Sequence, residues 1–341
     1  MSQIQTIIRQ STRNDKRLNI LCFPTFERTE SYLFSRMDHN FYALRHPSWK
    51  DWKKEYAPIP KNYHLLNTKK DIKYQLPPWI VPDLILSQNR MAHFPIAKFY
   101  ADKFNIPIVT CEHMSAHPTT LEAFKRQMQS MVGDINVFVT GMVRDSWGFP
   151  SDFGRIIHNA VDLDLFKREP KIEKQNYILT VANDFRGRDM YCGFNLWTDT
   201  VEHLTQYKLP VRLIGDNKGM STPAKNTQEL VQFYNDASLL LSTTLVSSLP
   251  TTIIEAMSCS LPVVSTSTTI IPTLLIKHGH NGFLSNDPKE LAGYCKTLME
   301  DDKLRKEMGE NGRRWVEEKF NPQEFLDNWK NVFQETANIR K

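Results

Sequence analysis

Residues 247–283 read SSLPTTIIEAMSCSLPVVSTSTTIIPTLLIKHGHNGF. A polar loop, Ser247-Ser248-Leu249, runs into a helix over 250–257 that opens on Pro250, where the missing N–H removes no helix bond. A small-residue turn over 258–260 leads into PVVS, a strand, and the segment ends in a turn at Asn281-Gly282. A helix whose first turn is Pro250-Thr251-Thr252 offers backbone N–H groups and the positive end of its dipole, which suits a diphosphate. Glu255 follows in the same helix, and a carboxylate there can accept two hydrogen bonds from a ribose diol. The plainer alternative is an ordinary βαβ unit with Glu255 as a solvated helix residue.

On either side the same alternation continues. Runs at 18–23 (LNILCF), 83–87 (DLILS), 106–110 (IPIVT) and 136–140 (NVFVT) read as strands, with helical patterns over 92–104 and 119–131 between them. GFPSDFG at 148–154 interrupts the pattern. A second series, 155–158 (RIIH), 177–181 (YILTV), 211–214 (VRLI), 239–242 (LLLS) and 262–265 (PVVS), reads as buried strands. Two successive α/β series predict two doubly wound, Rossmann-like domains facing a cleft, with ligands at the carboxyl ends of the strands. The predicted boundaries are a flexible basic arm at 1–17, a first domain at 18–150, a second at 151–320 and a C-terminal helix at 321–341. That helix is amphipathic, with Phe325, Leu326, Trp329 and Phe333 on one face, and is expected to pack back towards the first domain.

The 341 residues suffice for two cores, and 40% hydrophobic with 24% charged residues is ordinary globular composition. No apolar run is long enough to span a bilayer and residues 1–17 have no signal-like apolar stretch, which points to the cytoplasm. The five cysteines are scattered without a C-x-x-C pair, and the ten histidines show no zinc-ligand spacing, so neither disulfides nor a metal is expected. A formal charge of +5 permits an anionic partner without requiring one.

The 247–283 segment resembles the donor-binding signature of the family-4 retaining glycosyltransferases, whose fold is the α/β GT-B type. Glu255-Ala256-Met257, Leu261-Pro262-Val263-Val264, Ile271-Pro272 and Asn281-Gly282-Phe283-Leu284 carry the likeness. Asn159-Ala160-Val161-Asp162 with Phe166, Leu213-Ile214-Gly215-Asp216 and the helix region 301–320 extend it over 155–333. The resemblance implies a UDP-type nucleotide sugar as co-substrate, no cofactor and no metal, retention of anomeric configuration, and a departing phosphate that takes the acceptor proton. It makes Asn183, Arg186, Arg188, Gly215, Ser247, Ser248, Leu249, Pro250, Thr251, Thr252 and Glu255 the donor-binding set, and His113, Arg188 and Glu255 the catalytic one. Two positions depart from the pattern. Ser247 stands where the family has the first glutamate of a pair, which implies a smaller sugar such as a pentose, glucose, or loss of activity. Asn183 stands at the family's arginine position and Arg188 at its lysine position, with Arg186 as a second cation.

The first domain is expected to hold the acceptor. His113, after IPIVT, resembles the family's active-site histidine, the alternative being a structural one. The loop with Thr25, Glu27 and Arg28 lacks the family's glycine pair, and Gln88 lies in a second loop at the cleft. Residues 45–56 (RHPSWKDWKKEY) interleave Trp49, Trp52 and Lys53 with further cations. That pattern suits nucleic acid by stacking and phosphate contact, unless the tryptophans pack on the core. The phrases HNFYALRH (39–46) and APIPKNYHLL (57–66) look similar to glycosyltransferases of tailed phages. This implies host cytoplasm and double-stranded DNA carrying 5-hydroxymethylcytosine as acceptor, the base being read in the groove or flipped out. The alternatives are a transferase building a surface polysaccharide or glycolipid, and an inactive nucleotide-sugar or nucleic-acid binding protein.

Overall fold

The computed structural model describes residues 17–44, 51–66, 76, 80–267 and 272–339. The arm at 1–16, Trp49, Lys69, Lys70 and Ile271 lie outside them. The chain divides into two compact units, Met1–His158 with Gln323–Lys341, and Asn159–Pro322.

The first unit carries β1 (Asn19–Cys22), α1 (Glu27–Tyr32), β2 (Asn40–Ala43), β3 (Tyr63–Leu65), β4 (Leu84–Ser87), α2 (Arg90–Phe104), β5 (Ile108–Glu112), α3 (Glu122–Ser130), β6 (Ile135–Phe138), α4 (Gly141–Ser146) and β7 (Arg155–Ile156). The strands form one sheet in the order β3-β2-β1-β4-β5-β6-β7, every pair parallel. The order reverses between β1 and β4, as in a Rossmann sheet. Strands β4, β5 and β6 are buried at every position because helices cover both faces, so they show apolar runs rather than alternation.

The second unit carries β8 (Ile178–Val181), α5 (Asp189–Cys192), α6 (Phe194–Gln206), β9 (Val211–Ile214), α7 (Thr227–Asp236), β10 (Leu239–Ser242), α8 (Thr251–Ser258), β11 (Val263–Ser265), α9 (Pro272–Leu275), β12 (Gly282–Leu284), α10 (Pro288–Glu300) and α11 (Asp302–Lys319). Its sheet runs β12-β11-β10-β8-β9, again all parallel. Successive strand residues feed opposite faces. Ile178, Leu239, Leu241 and Val264 pack with Leu204, Leu291, Cys295 and Met308. Leu179, Leu240 and Val263 pack with Leu230, Tyr234, Ile253 and Met257. This two-sided burial is the physical meaning of doubly wound.

The last helix, α12 (Pro322–Asn338), joins the first unit from Gln323 onward. Phe325, Leu326, Trp329 and Phe333 are all buried. Phe34 stacks on Phe325 at 5.7 Å and meets Trp329 and Phe333 edge-on at 5.6 and 6.0 Å. Phe41 of β2 faces Phe333 at 6.2 Å, while its neighbour Tyr42 packs on the opposite face of the sheet.

Two expectations need correction. Residues 155–158 do not open the second series: Arg155 and Ile156 pair with Val137 and Phe138 as the edge of the first sheet, and both are exposed. The cause is the preceding turn, whose Phe149 and Phe153 stack at 4.7 Å and pack on Phe138, folding the chain back beside β6. The strand at 211–214 is only partly buried because it is the free edge of the second sheet. The phage-like phrases contain β2 and β3, whose Phe41 and Tyr63 are core residues stacked at 5.9 Å. Their apolar content therefore has a packing cause.

Phe333 is fully buried among aromatic rings that cannot collapse into its space. Phe333→Ala is expected to lower the stability of the first unit by about 3–5 kcal/mol. Urea unfolding of the variant and the wild type, read at equal slope, checks this.

Candidate active site

In the second unit the strand order reverses between β8 and β10, so the loops leaving these strands form the walls of a crevice. Backbone contacts at van der Waals limits tie the loops together. A Cβ on Gly193 would lie 2.1 Å from the Thr243 carbonyl oxygen, and Gly193 has φ +69°. The Thr243 hydroxyl donates to the Gly193 carbonyl at 2.9 Å, and the Leu245 and Val246 N–H groups both reach the Tyr191 carbonyl. On the other side, Gly215 has φ +140° and a Cβ there would sit 1.8 Å from the Ala182 carbonyl oxygen. Only glycine lets the β9 loop approach the β8 loop this closely.

Asn183 is exposed, and its Oδ1 accepts the Asp216 N–H at 2.8 Å, bracing the two loops. Arg186 is exposed with its guanidinium 5.2 Å from the Phe194 ring centre. Arg188 is exposed at the cap position before α5. The β10 loop ends at Pro250, the cap residue of α8, with Ser248, Leu249 and Pro250 buried and Ser247, Thr251 and Thr252 half-buried. No side chain caps this helix, and the Pro250 carbonyl already takes the Ile253 N–H at 3.1 Å. Glu255 is 2% exposed, and its Oε2 accepts the Tyr234 hydroxyl at 2.9 Å. Glu255 is thus a buried, oriented carboxylate rather than a solvated helix residue.

At the first unit's reversal point, between β1 and β4, a second polar cluster is built. Glu30 of α1 is 1% exposed; its Oε1 accepts the Thr25 N–H at 3.1 Å and the Gln88 amide at 2.9 Å. Burial pushes its carboxyl up to about 8, so it is a neutral acid at pH 7. The His113 ring lies 4.4 Å from Phe26. Both its nitrogens are buried without a hydrogen-bond partner, although part of the residue reaches the surface. Desolvation, with nearby His93 adding to it, lowers its pKa to about 3, so the imidazole is neutral.

Residues 212–315 match the family model described as Glycosyl transferases group 1. Among solved structures, HepE of Anabaena in complex with UDP and glucose superposes with a TM-score of 0.70 at 15% identity, covering 93% of this chain and 99% of that one. Sucrose-phosphate synthase from Thermosynechococcus elongatus gives 0.68 at 13% identity over 94% and 99%. The fold is of the GT-B type. Among proteins compared by sequence, the capsular polysaccharide biosynthesis glycosyltransferase CapM of Staphylococcus aureus is 32% identical over 115 residues, 32% of this chain and 30% of that one. An N-acetyl-alpha-D-glucosaminyl L-malate synthase from Bacillus anthracis is 31% identical over 110 residues, covering 32% and 28%. This chain spans about a third of the length of the curated relatives it matches.

The residues expected to bind a donor therefore lie on the β8, β9 and β10 loops and on α8, at one end of one sheet. The acceptor-side expectations separate. The Thr25 hydroxyl is turned back onto the Phe23 carbonyl at 3.0 Å. Gln88 is buried against Glu30. Glu27 is half-buried and accepts the Lys53 N–H at 2.9 Å, and burial raises its carboxyl. Arg28 is half-buried beside it. Trp52 is 8% exposed, donates its indole N–H to the Ala57 carbonyl at 2.7 Å and tilts against Tyr63. It is a core residue and not a stacking platform, because the turn at 52–57 folds it inward. Lys53 is exposed with its ammonium over Tyr56. The sequence gives Arg90 and Glu112 no role, although they lie within the cleft loop 87–90 and the stretch Cys111-Glu112-His113, and no spacing marks Glu30 or Tyr234.

Glu30 is expected to make stability fall as pH rises. Its folded pKa is near 8 and its unfolded value near that of a free glutamate, so the proton lost between them is lost only by the unfolded chain. Glu30→Gln keeps an acceptor for Thr25 and Gln88 but does not titrate. The melting temperature of the variant minus that of the wild type should therefore increase from about pH 5 to about pH 8. A constant difference would show that Glu30 is not a buried neutral acid.

Proposed function

We propose that this protein is a glycosyltransferase that moves a sugar from a UDP-sugar to an acceptor hydroxyl with retention of configuration. The observation that carries this reading is the arrangement at the carboxyl end of the second sheet. Exposed Arg186 and Arg188, the uncapped first turn of α8 and the buried, oriented Glu255 are held there by loops locked through Gly193 and Gly215. The chemistry follows from charge. Cleaving the sugar–phosphate bond builds negative charge on the leaving diphosphate. Arginine suits that group through bidentate donation, and the N–H groups of Thr251 and Thr252 add fixed dipoles. Glu255, its rotamer set by Tyr234, accepts the ribose hydroxyls. The departing phosphate takes the acceptor proton, so no protein nucleophile is required. His113, neutral and partly exposed, offers one N–H and one lone pair to a sugar hydroxyl.

Ser247 lies where a glutamate would add charge beside the transferred sugar, and its hydroxyl suits glucose or a pentose. We read the acceptor as a glycan. The relative in capsular polysaccharide synthesis supports this, and the burial of Trp52 withdraws an aromatic face from nucleic acid. Among the described residues no helix is long and apolar enough to cross a membrane.

Incubation with a panel of labelled UDP-sugars and either glycan primers or 5-hydroxymethylcytosine DNA separates the readings. Transfer to glycan supports this one. Transfer to DNA overturns the acceptor, and donor binding without turnover overturns the activity. Arg188→Ala is expected to lower kcat by about 100-fold or more. Glu255→Ala is expected to raise the donor KM about tenfold or more through loss of charged hydrogen bonds. Wild-type kinetics in both variants would remove the site.

A further inference from the structure

His113 presents a problem of aim. Its two ring nitrogens have no hydrogen-bond partner among the described residues, and its ring tilts against that of Phe26 at 4.4 Å. Nothing polar on the imidazole sets its direction, so the backbone beneath it must do so. That backbone is clamped from two sides. Glu112, the last residue of β5, accepts the N–H groups of both His113 and Met114 through Oε1, each at 3.1 Å. From the other side, the Trp147 indole donates to the Met114 carbonyl at 2.6 Å, and the Ser146 hydroxyl accepts the Ala116 N–H at 3.0 Å.

The carboxylate has a charged neighbour, at ion-pair and not hydrogen-bond distance. Its Oε2 lies 4.0 Å from Nε of Arg90, whose side chain is 0% exposed. The Arg90 guanidinium lies against the rings of Phe138 and Phe149, 5.1 and 4.9 Å from their centres. It donates to the Met131 carbonyl and, at 3.3 Å, to the Asn136 side chain. As a source of stability this pair is a poor choice, since two buried charges lose more hydration than a well-packed hydrophobic pair would. What the carboxylate does that a hydrophobic residue cannot is accept two consecutive N–H groups at the base of the histidine loop.

We propose that Glu112, paired with Arg90, is a positioning residue that fixes the backbone and hence the aim of His113. The proposal rests on the reading of His113 as the sugar-facing group of the first unit. Neither Glu112 nor Arg90 touches substrate in this scheme. Burial raises the Glu112 carboxyl, and the Met114 N–H and the buried Arg90 guanidinium oppose that rise.

The test uses the full chain with UDP-glucose as donor, UDP release as the rate, and the imidazole resonances of His113 by NMR. Glu112→Ala alone strands the Arg90 charge and risks misfolding, so the informative variant is Glu112→Ala with Arg90→Met. It is expected to melt near wild type. Its kcat should fall about 10- to 100-fold through misplacement of His113, with donor KM unchanged, and its His113 resonances should be displaced. Glu112→Gln keeps one acceptor oxygen and should recover most of kcat and return the resonances towards wild type. Wild-type kcat and undisplaced resonances in the double variant would overturn the proposal. His113→Ala at full kcat would instead overturn the role of the histidine in turnover. In that case the resonances alone decide whether Glu112 positions it.

Discussion

Every strand pair in both sheets is parallel, and most of what this molecule does structurally follows from that constraint. Parallel neighbours cannot be joined by a tight hairpin, so each connection must cross over a face of the sheet. The faces are then covered, the strands become apolar throughout, and the polar loops gather at the two ends. At the carboxyl ends, the reversal in strand order parts adjacent loops and leaves room for a ligand. The β8 and β10 loops in one unit, and the β1 and β4 loops in the other, occupy that position.

The two reversal points are furnished differently. In the second unit the cations are exposed and the loops are rigid at the backbone level, through close approaches that only Gly193 and Gly215 permit. A multiply charged ligand is served by such a site, because fixed N–H groups and arginines need no rearrangement when charge develops. At the first unit's reversal point two of the polar groups are uncharged. Glu30 is held as a neutral acid and His113 as a neutral imidazole. Groups that donate and accept without charge suit hydroxyls better than ions.

Much of the second unit was legible in the sequence, because the features proposed to bind the donor are local. A proline-opened helix, a glutamate one turn further on and a PVVS strand lie within a short contiguous stretch, and each feature keeps its meaning when folded. The first unit was less legible because its features are made by distant residues. Glu30 meets Gln88, and Arg90 meets Glu112, only after the strands have paired. Trp52 misled for the same reason: a tryptophan among lysines looks exposed until the turn to Ala57 buries its indole. Strand 155–156 looked like the start of something new because nothing in its two residues records which sheet it joins. That choice was made by Phe149 and Phe153, upstream of it.

Phe333 and Trp329 close the aromatic cluster over Phe34 and Phe41, although some three hundred residues of chain separate the two sides. A ribosome delivers those partners in opposite order. While the chain is being made, the Phe34 and Phe41 side of the first sheet waits uncovered, and the whole of Asn159–Pro322 emerges before its lid does. The unit translated first is therefore the one completed last. Co-translational folding of this protein must either shield that aromatic face or tolerate it until α12 has left the exit tunnel.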